Sequence, residues 1–114
     1  MTQGISLIVY PVTDLPASKS FFRTLLGVDP YVDGSYYVGF RTGQLEVGLD
    51  PNARGRGISS PIGYVDVADI SKALKSLIDA GAQALQPATE VGGGLRIATV
   101  KDRDGNILGV RQSA

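Results

Sequence analysis

Val12-Thr13-Asp14-Leu15 and, about 55 residues later, Val67-Ala68-Asp69-Ile70 decide how this chain is read. In each stretch a β-branched run ends on an aspartate that can cap a helix, and an apolar helical pattern follows. Upstream of the first lies Ile5-Ser6-Leu7-Ile8-Val9-Tyr10-Pro11, and upstream of the second Pro61-Ile62-Gly63-Tyr64-Val65-Asp66; both have strand composition. Downstream of the first, Phe21, Phe22, Leu25 and Leu26 recur at helical spacing, with Pro16 in the first turn and Gly27 as the stop. Downstream of the second, Ile70, Ala73, Leu74, Leu77 and Ile78 form one apolar stripe that ends before Gly81.

Each helix is followed by three strand-like runs. In the first half these are Tyr31 to Asp33, Ser35 to Arg41 and Gln44 to Leu49, separated by Asp33-Gly34 and Thr42-Gly43. In the second half they are Ala82 to Val91, Leu95 to Lys101 and Asn106 to Gln112, the last two joined by Asp104-Gly105. The order β-α-β-β-β therefore occurs twice, and a repeat of order and spacing weighs more than any local propensity. The expected organisation is one α+β domain over residues 1–114, with a first module at 4–50, a linker at 51–60 and a second module at 61–113. A dimeric ferredoxin-like domain is the structural alternative, but it needs fewer strands after each helix.

Composition narrows the chemistry. Eleven Lys and Arg balance eleven Asp and Glu, so the net charge is +0 and neither nucleic acid nor an anionic membrane is an expected partner. With no cysteine there is no thiolate nucleophile or sulfur ligand, and with no histidine there is no imidazole base or ligand. No window reaches the ~18 apolar residues of a membrane span. No export signal is recognisable near Met1, and a cytoplasmic location is the expectation. Gly92-Gly93-Gly94 is not followed by the Lys-Ser/Thr of a phosphate loop and precedes a strand, so it is read as a connection beside a site.

Three further features carry a family resemblance: Ser20-Phe21-Phe22-Arg23-Thr24-Leu25-Leu26-Gly27, Ala80-Gly81-Ala82, and Lys101-Asp102-Arg103-Asp104-Gly105-Asn106. With the repeated Val-x-Asp-Leu/Ile they resemble the vicinal oxygen chelate superfamily of glyoxalases, bleomycin-resistance proteins and extradiol dioxygenases. The resemblance implies paired β-α-β-β-β modules forming a curved mixed sheet around a cup, with helices outside. In metal-using members, ligands come from the first strand of each module and from the last strand. Carried onto this chain, those positions fall on Leu7, Ile62 and Gly109, none of which can bind a divalent cation through its side chain. Glu46 lies near a further carboxylate position, with its register open by one residue. A metal-free member without a cofactor is therefore expected.

If Leu7 faces the cup, strand alternation adds Val9 and Pro11 to that side, and the same logic assigns Ile62, Tyr64, Asp66, Gly109 and Arg111. Leu108 and Val110 then pack under the helices. Tyr36, Tyr37 and Phe40 alternate along their strand, so part of that aromatic set is available to stack on a ligand. The candidate ligand-binding residues are Leu7, Val9, Tyr36, Tyr37, Glu46, Ile62, Tyr64, Gly109 and Arg111. Each also has a plain structural reading: Glu46 as a solvated strand residue, the tyrosines as core filling, and Arg111 with Asp66 as a surface ion pair. The functional expectation is a metal-independent protein binding a small, partly apolar molecule, acting as a homodimer. A metal-independent lyase or isomerase with Glu46 as general base is the alternative, and a non-catalytic dimerisation module is a third possibility.

Overall fold

The computed structural model describes residues 4–114 as an α+β protein. In chain order the elements are β1 (Ile5–Pro11), α1 (Leu15–Leu26), β2 (Val32–Asp33), β3 (Val38–Thr42), β4 (Leu45–Asp50), a 3-10 turn at Arg54–Arg56, β5 (Ile62–Asp66), α2 (Ile70–Asp79), β6 (Gln83–Glu90), β7 (Arg96–Lys101) and β8 (Ile107–Gln112). The β-α-β-β-β order thus occurs twice. The described residues divide into two compact units, one spanning Leu7–Ile62 and the other comprising Gly63–Ala114 with residues 4–6.

In the Leu7–Ile62 unit the strand order is β2-β3-β4-β1, with β1 parallel to β4 and the remaining pairs antiparallel. In the other unit the order is β5-β8-β7-β6, and the first strand again lies parallel to the last. A parallel pair needs a crossover, and in both units the helix supplies it. Asp14 starts α1 by accepting a bond from the Ala17 amide at 3.0 Å, and Asp69 starts α2 through the Lys72 amide at 3.1 Å. The two capping aspartates picked out in the sequence thus perform the same act at the same step of each unit.

The core of the first unit gathers Val12, Val38, Phe40, Val47 and Leu49, with Tyr10, Leu15, Phe22 and Leu26 packed against them. Tyr10 and Phe22 place their ring centroids 5.0 Å apart. Phe21 and Leu25 do not join this core and are each 63% exposed, because the one stripe of α1 that meets the sheet is filled by Leu15, Phe22 and Leu26. The expected four-residue apolar face is therefore narrower than its sequence pattern. In the second unit Ile70, Ala98 and Val110 form the core, joined by Val67, Ala73, Leu74, Leu77 and Ala88.

Two other expectations change. The strand expected from Ser35 begins only at Val38, since Gly34 and Tyr37 close a turn through the Gly34 amide and the Tyr37 carbonyl at 3.0 Å. Leu108, expected under a helix, is 42% exposed, whereas its neighbour Val110 is buried as expected. The triple glycine forms the β6–β7 hairpin turn, with Val91 bonded to Leu95 at 2.8 Å and all three glycines at positive φ (116°, 60° and 79°). Three consecutive residues in that region leave glycine as the residue that fits without strain.

Candidate functional site

Each sheet packs one face on its helix and turns the other away, and the sequence-predicted residues fall largely on those second faces. In the Leu7–Ile62 unit the register sets Leu7 opposite Glu46 and Val9 opposite Gly48 on β1 and β4, and Arg41 opposite Glu46 on β3. The Tyr37 ring lies directly on Gly48, and a Cβ there would collide with the phenol. Tyr31 rests beside Gly39, where a Cβ would stand 3.2 Å from its ring. The Tyr31 hydroxyl donates to Glu46 Oε1, and the Arg41 guanidinium sits 4.0 Å above the Tyr31 ring centroid. Glu46, a lone strand carboxylate in the sequence, is thus held by a phenol beside a cation stacked on that same phenol.

Ile62, the first residue of β5, ends the Leu7–Ile62 unit; in the second unit β5 presents Tyr64 and Asp66, and β8 presents Gly109 and Arg111, with Tyr64 opposite Gly109 and Asp66 opposite Arg111. The Tyr64 ring covers Gly109 so closely that no Cβ fits there. Arg111 donates from Nε to Asp66 Oδ1 at 2.7 Å and from Nη2 to Oδ2 at 3.3 Å, while the Ser6 hydroxyl donates to Oδ2 at 2.8 Å. The Arg111 bond holds the Asp66 carboxyl below its ordinary pKa; partial burial works against that shift, and Ser6 adds to it. The expected ion pair forms, bidentate and half-buried. Thr99, buried on β7, lies opposite Gly109 on the same face.

The two units repeat one device. Val9 and Tyr64 each stand five residues before their capping aspartate, and each faces a glycine of the parallel last strand, Gly48 or Gly109. In both units a tyrosine ring fills the space above that glycine. Gly48 is therefore the counterpart of Gly109, and Glu46 lies two residues before it on the same side of β4. The residues at the positions implied for metal ligands do not fit a metal: Leu7 and Ile62 are buried apolar side chains, and a ring occupies the space over Gly109. Among the described residues no three His, Cys, Asp or Glu side chains converge.

Of the remaining candidates, Tyr36 and Tyr37 both precede β3; Tyr36 is 76% exposed, whereas the Tyr37 ring covers Gly48. Phe40 belongs to the helix-side core. Sequence reasoning did not find Tyr31, Arg41 or Ser6. Arg41 and Glu46 flank the Gly43-Gln44 turn at matching distances, a legible cross-strand signal, whereas Ser6 counts with the helix side when alternation is taken from Leu7. The sequence also gave no sign of a cavity of about 620 Å³ on the helix side of the second unit, lined by Ile5, Gly63, Val65, Leu108, Lys72 and Leu77 among others.

A family model described as the Glyoxalase/Bleomycin resistance protein/Dioxygenase superfamily matches residues 4–110. No protein of curated function matches the sequence. Among solved structures, the chain is similar to a Legionella pneumophila protein named as an NAD-dependent benzaldehyde dehydrogenase, at 18% identity and TM-score 0.77, covering 95% of this chain and 98% of that one. It is similar to a glyoxalase/bleomycin resistance protein/dioxygenase superfamily member from Vibrio splendidus 12B01, at 17% identity and TM-score 0.70, covering 94% and 97%. A Streptomyces coelicolor methylmalonyl-CoA epimerase in complex with 2-nitronate-propionyl-CoA matches at 16% identity and TM-score 0.74, covering 100% and 99%. At these identities the likeness is one of fold. Among the described residues, no helix is long and apolar enough to cross a membrane.

Proposed function

This chain belongs to the glyoxalase/bleomycin resistance protein/dioxygenase superfamily, and from that premise we propose that it is a metal-independent member that binds a small, partly apolar molecule on the sheet faces turned away from its helices. The observation that carries the proposal is the Tyr64 ring seated on Gly109, with Leu7 and Ile62 buried at the other positions where metal-using relatives are expected to place ligands. A glutamate at residue 109 would have to displace that ring before it could reach a cation. The same faces supply apolar surface with few polar groups, the composition of a small-molecule site. On the Leu7–Ile62 unit Tyr37 offers a ring for contact and Glu46 with Tyr31 gives direction to a polar group; on the other unit Tyr64 and the pair Arg111 with Asp66 supply the same kinds of group.

Manganese, nickel and zinc at tenfold excess are expected to leave the melting temperature within about 1 °C, since a ligand without a site shifts no equilibrium. A rise of many degrees with any of them overturns the proposal. Native mass spectrometry of the freshly purified protein is expected to show an added organic mass that is lost on activation.

A second reading rests on Glu46. Its carboxylate is aligned by the Tyr31 hydroxyl beside the Arg41 guanidinium, an arrangement suited to taking a proton from a carbon next to a carbonyl. Methylmalonyl-CoA epimerases are among the similar folds. Incubation with methylmalonyl-CoA in deuterium oxide tests this reading: deuterium at the acidic carbon that disappears in Glu46→Gln supports a base, whereas the binding reading expects no incorporation in either protein.

A further inference from the structure

Among the described residues Thr99 is the one polar residue that is buried, at 3% exposure. Its hydroxyl makes no hydrogen bond to a described residue, yet every sealed side-chain nitrogen or oxygen among those residues has a partner. The little surface that Thr99 keeps therefore includes its hydroxyl oxygen. Because Thr99 pairs with Gly109, that oxygen lies on the face turned away from α2, beside the ring of Tyr64. The neighbouring strand is irregular: β6 carries one residue more than β7 on each side of Gln86. A regular ladder would set Leu85 opposite Thr99, and the first extra residue brings Gln86 there instead, as bulges re-aim side chains. Lys101 stands two residues along β7 on the same face, opposite Ile107. Arg111 and Asp66, the charged pair of β8 and β5 on this face, neutralise each other, which leaves Lys101 as its uncompensated charge.

We propose that Thr99, Gln86 and Lys101 together hold the carboxylate of a small organic acid whose apolar body lies against Tyr64, an inference that rests on the metal-independent binding reading. A carboxylate only accepts, and these three side chains offer it a hydroxyl, an amide N–H and an ammonium. Bonds to an ionised acceptor are roughly twice as strong as neutral ones, so a buried hydroxyl gains most from such a partner. One cation with two neutral donors matches a single negative charge, whereas a phosphate dianion would bring a second charge that no group on this face offsets. Ile97 and Ile107 border the three donors on the same face, and with the Tyr64 ring they give the body of the acid apolar surface.

Methyl carbon–proton NMR spectra of the full chain, titrated with phenylacetate and with the uncharged phenylacetamide, test this. Phenylacetate is expected to move the methyl signals of Thr99, Ile97 and Ile107, and phenylacetamide to bind at least ~10-fold more weakly. Thr99→Val removes the hydroxyl at nearly constant shape and should raise the Kd for phenylacetate at least ~10-fold. Lys101→Met should raise it at least ~3-fold and bring acid and amide closer together. Far-ultraviolet circular dichroism identifies any variant that fails to fold; if Thr99→Val does, the half-buried Lys101→Met decides. Acid and amide bound equally well by the wild type, or a Kd for phenylacetate unchanged in Lys101→Met, overturns the carboxylate assignment and leaves the binding reading standing, since a ligand still occupies the face. No shift with either probe at about 10 mM overturns the assignment as well. The native mass measurement then shows whether the binding reading falls with it.

Discussion

Gly109 reads in the sequence as a missing ligand and in the structure as a seat for a ring. Any side chain at this position meets the edge of Tyr64, so Gly109→Ala is expected to cost about 1–3 kcal/mol in urea unfolding, as overpacking does. Tyr64→Ala also destabilises, through lost burial, but the double variant should be more stable than the two losses added together, because the small Tyr64 replacement removes the clash. Additive losses would mean that the ring does not rest on the glycine. The Asp66 carboxyl supports a different measurement. Its folded-state pKa is lowered by Arg111, so its stabilisation is complete above the unfolded value near ~3.9 and is lost as pH falls through the folded value. Asp66→Asn should therefore melt below the wild type by a gap that is constant from pH 7 to 5 and closes below about pH 4. The gap itself should correspond to about 1 kcal/mol or less, since the pair is partly exposed to screening solvent.

At the scale of elements, the sequence reveals most where one residue type has one job. Asp14 and Asp69 mark the helix starts because a side-chain acceptor is what an N-terminal turn lacks, and both accept the amide three residues on. Asp14→Ala is expected to cost about 1 kcal/mol, read as a shift in urea midpoint at unchanged slope, and Asp14→Ser should recover most of it. Apolar pattern is a weaker guide. Phe21 and Leu25 have the same composition and spacing as Phe22 and Leu26, yet they face solvent, because how wide a stripe a helix buries depends on the sheet beneath it and not on the helix sequence. Leu108 is exposed for the same reason: α2 packs on β8 at Val110 and does not cover Leu108 two residues away. The site residues divide along this line: Tyr64 and Arg111 lie on the expected face by alternation, while Tyr31's hold on Glu46 depends on a chain turn around Gly34 that no periodicity encodes.

For the whole molecule, the absence of histidine has a measurable effect. Carboxylates at ordinary pKa values finish ionising below about pH 5.5, and lysine and tyrosine begin to titrate only above about pH 9, so between these limits little but the α-amino group changes charge. Eleven cations against eleven anions then hold the molecule near zero net charge across the whole interval. The protons bound by folded and unfolded chains therefore differ little there, and the linkage relation makes stability nearly independent of pH. The melting temperature is expected to stay within about 2 °C from pH 5.5 to 8.5 and to fall below about pH 4.5, as Asp66 and Asp102, both held below their usual carboxyl range, take up protons. A step near pH 6.5 would require a group titrating between its folded and unfolded values in that window, which in this chain means a strongly raised carboxyl. A limb near neutrality in any binding or rate profile then belongs to the ligand or to such a carboxyl. Repeating the profile with ligands of different pKa decides between them, since a limb owned by the ligand moves with the ligand and one owned by the protein stays in place.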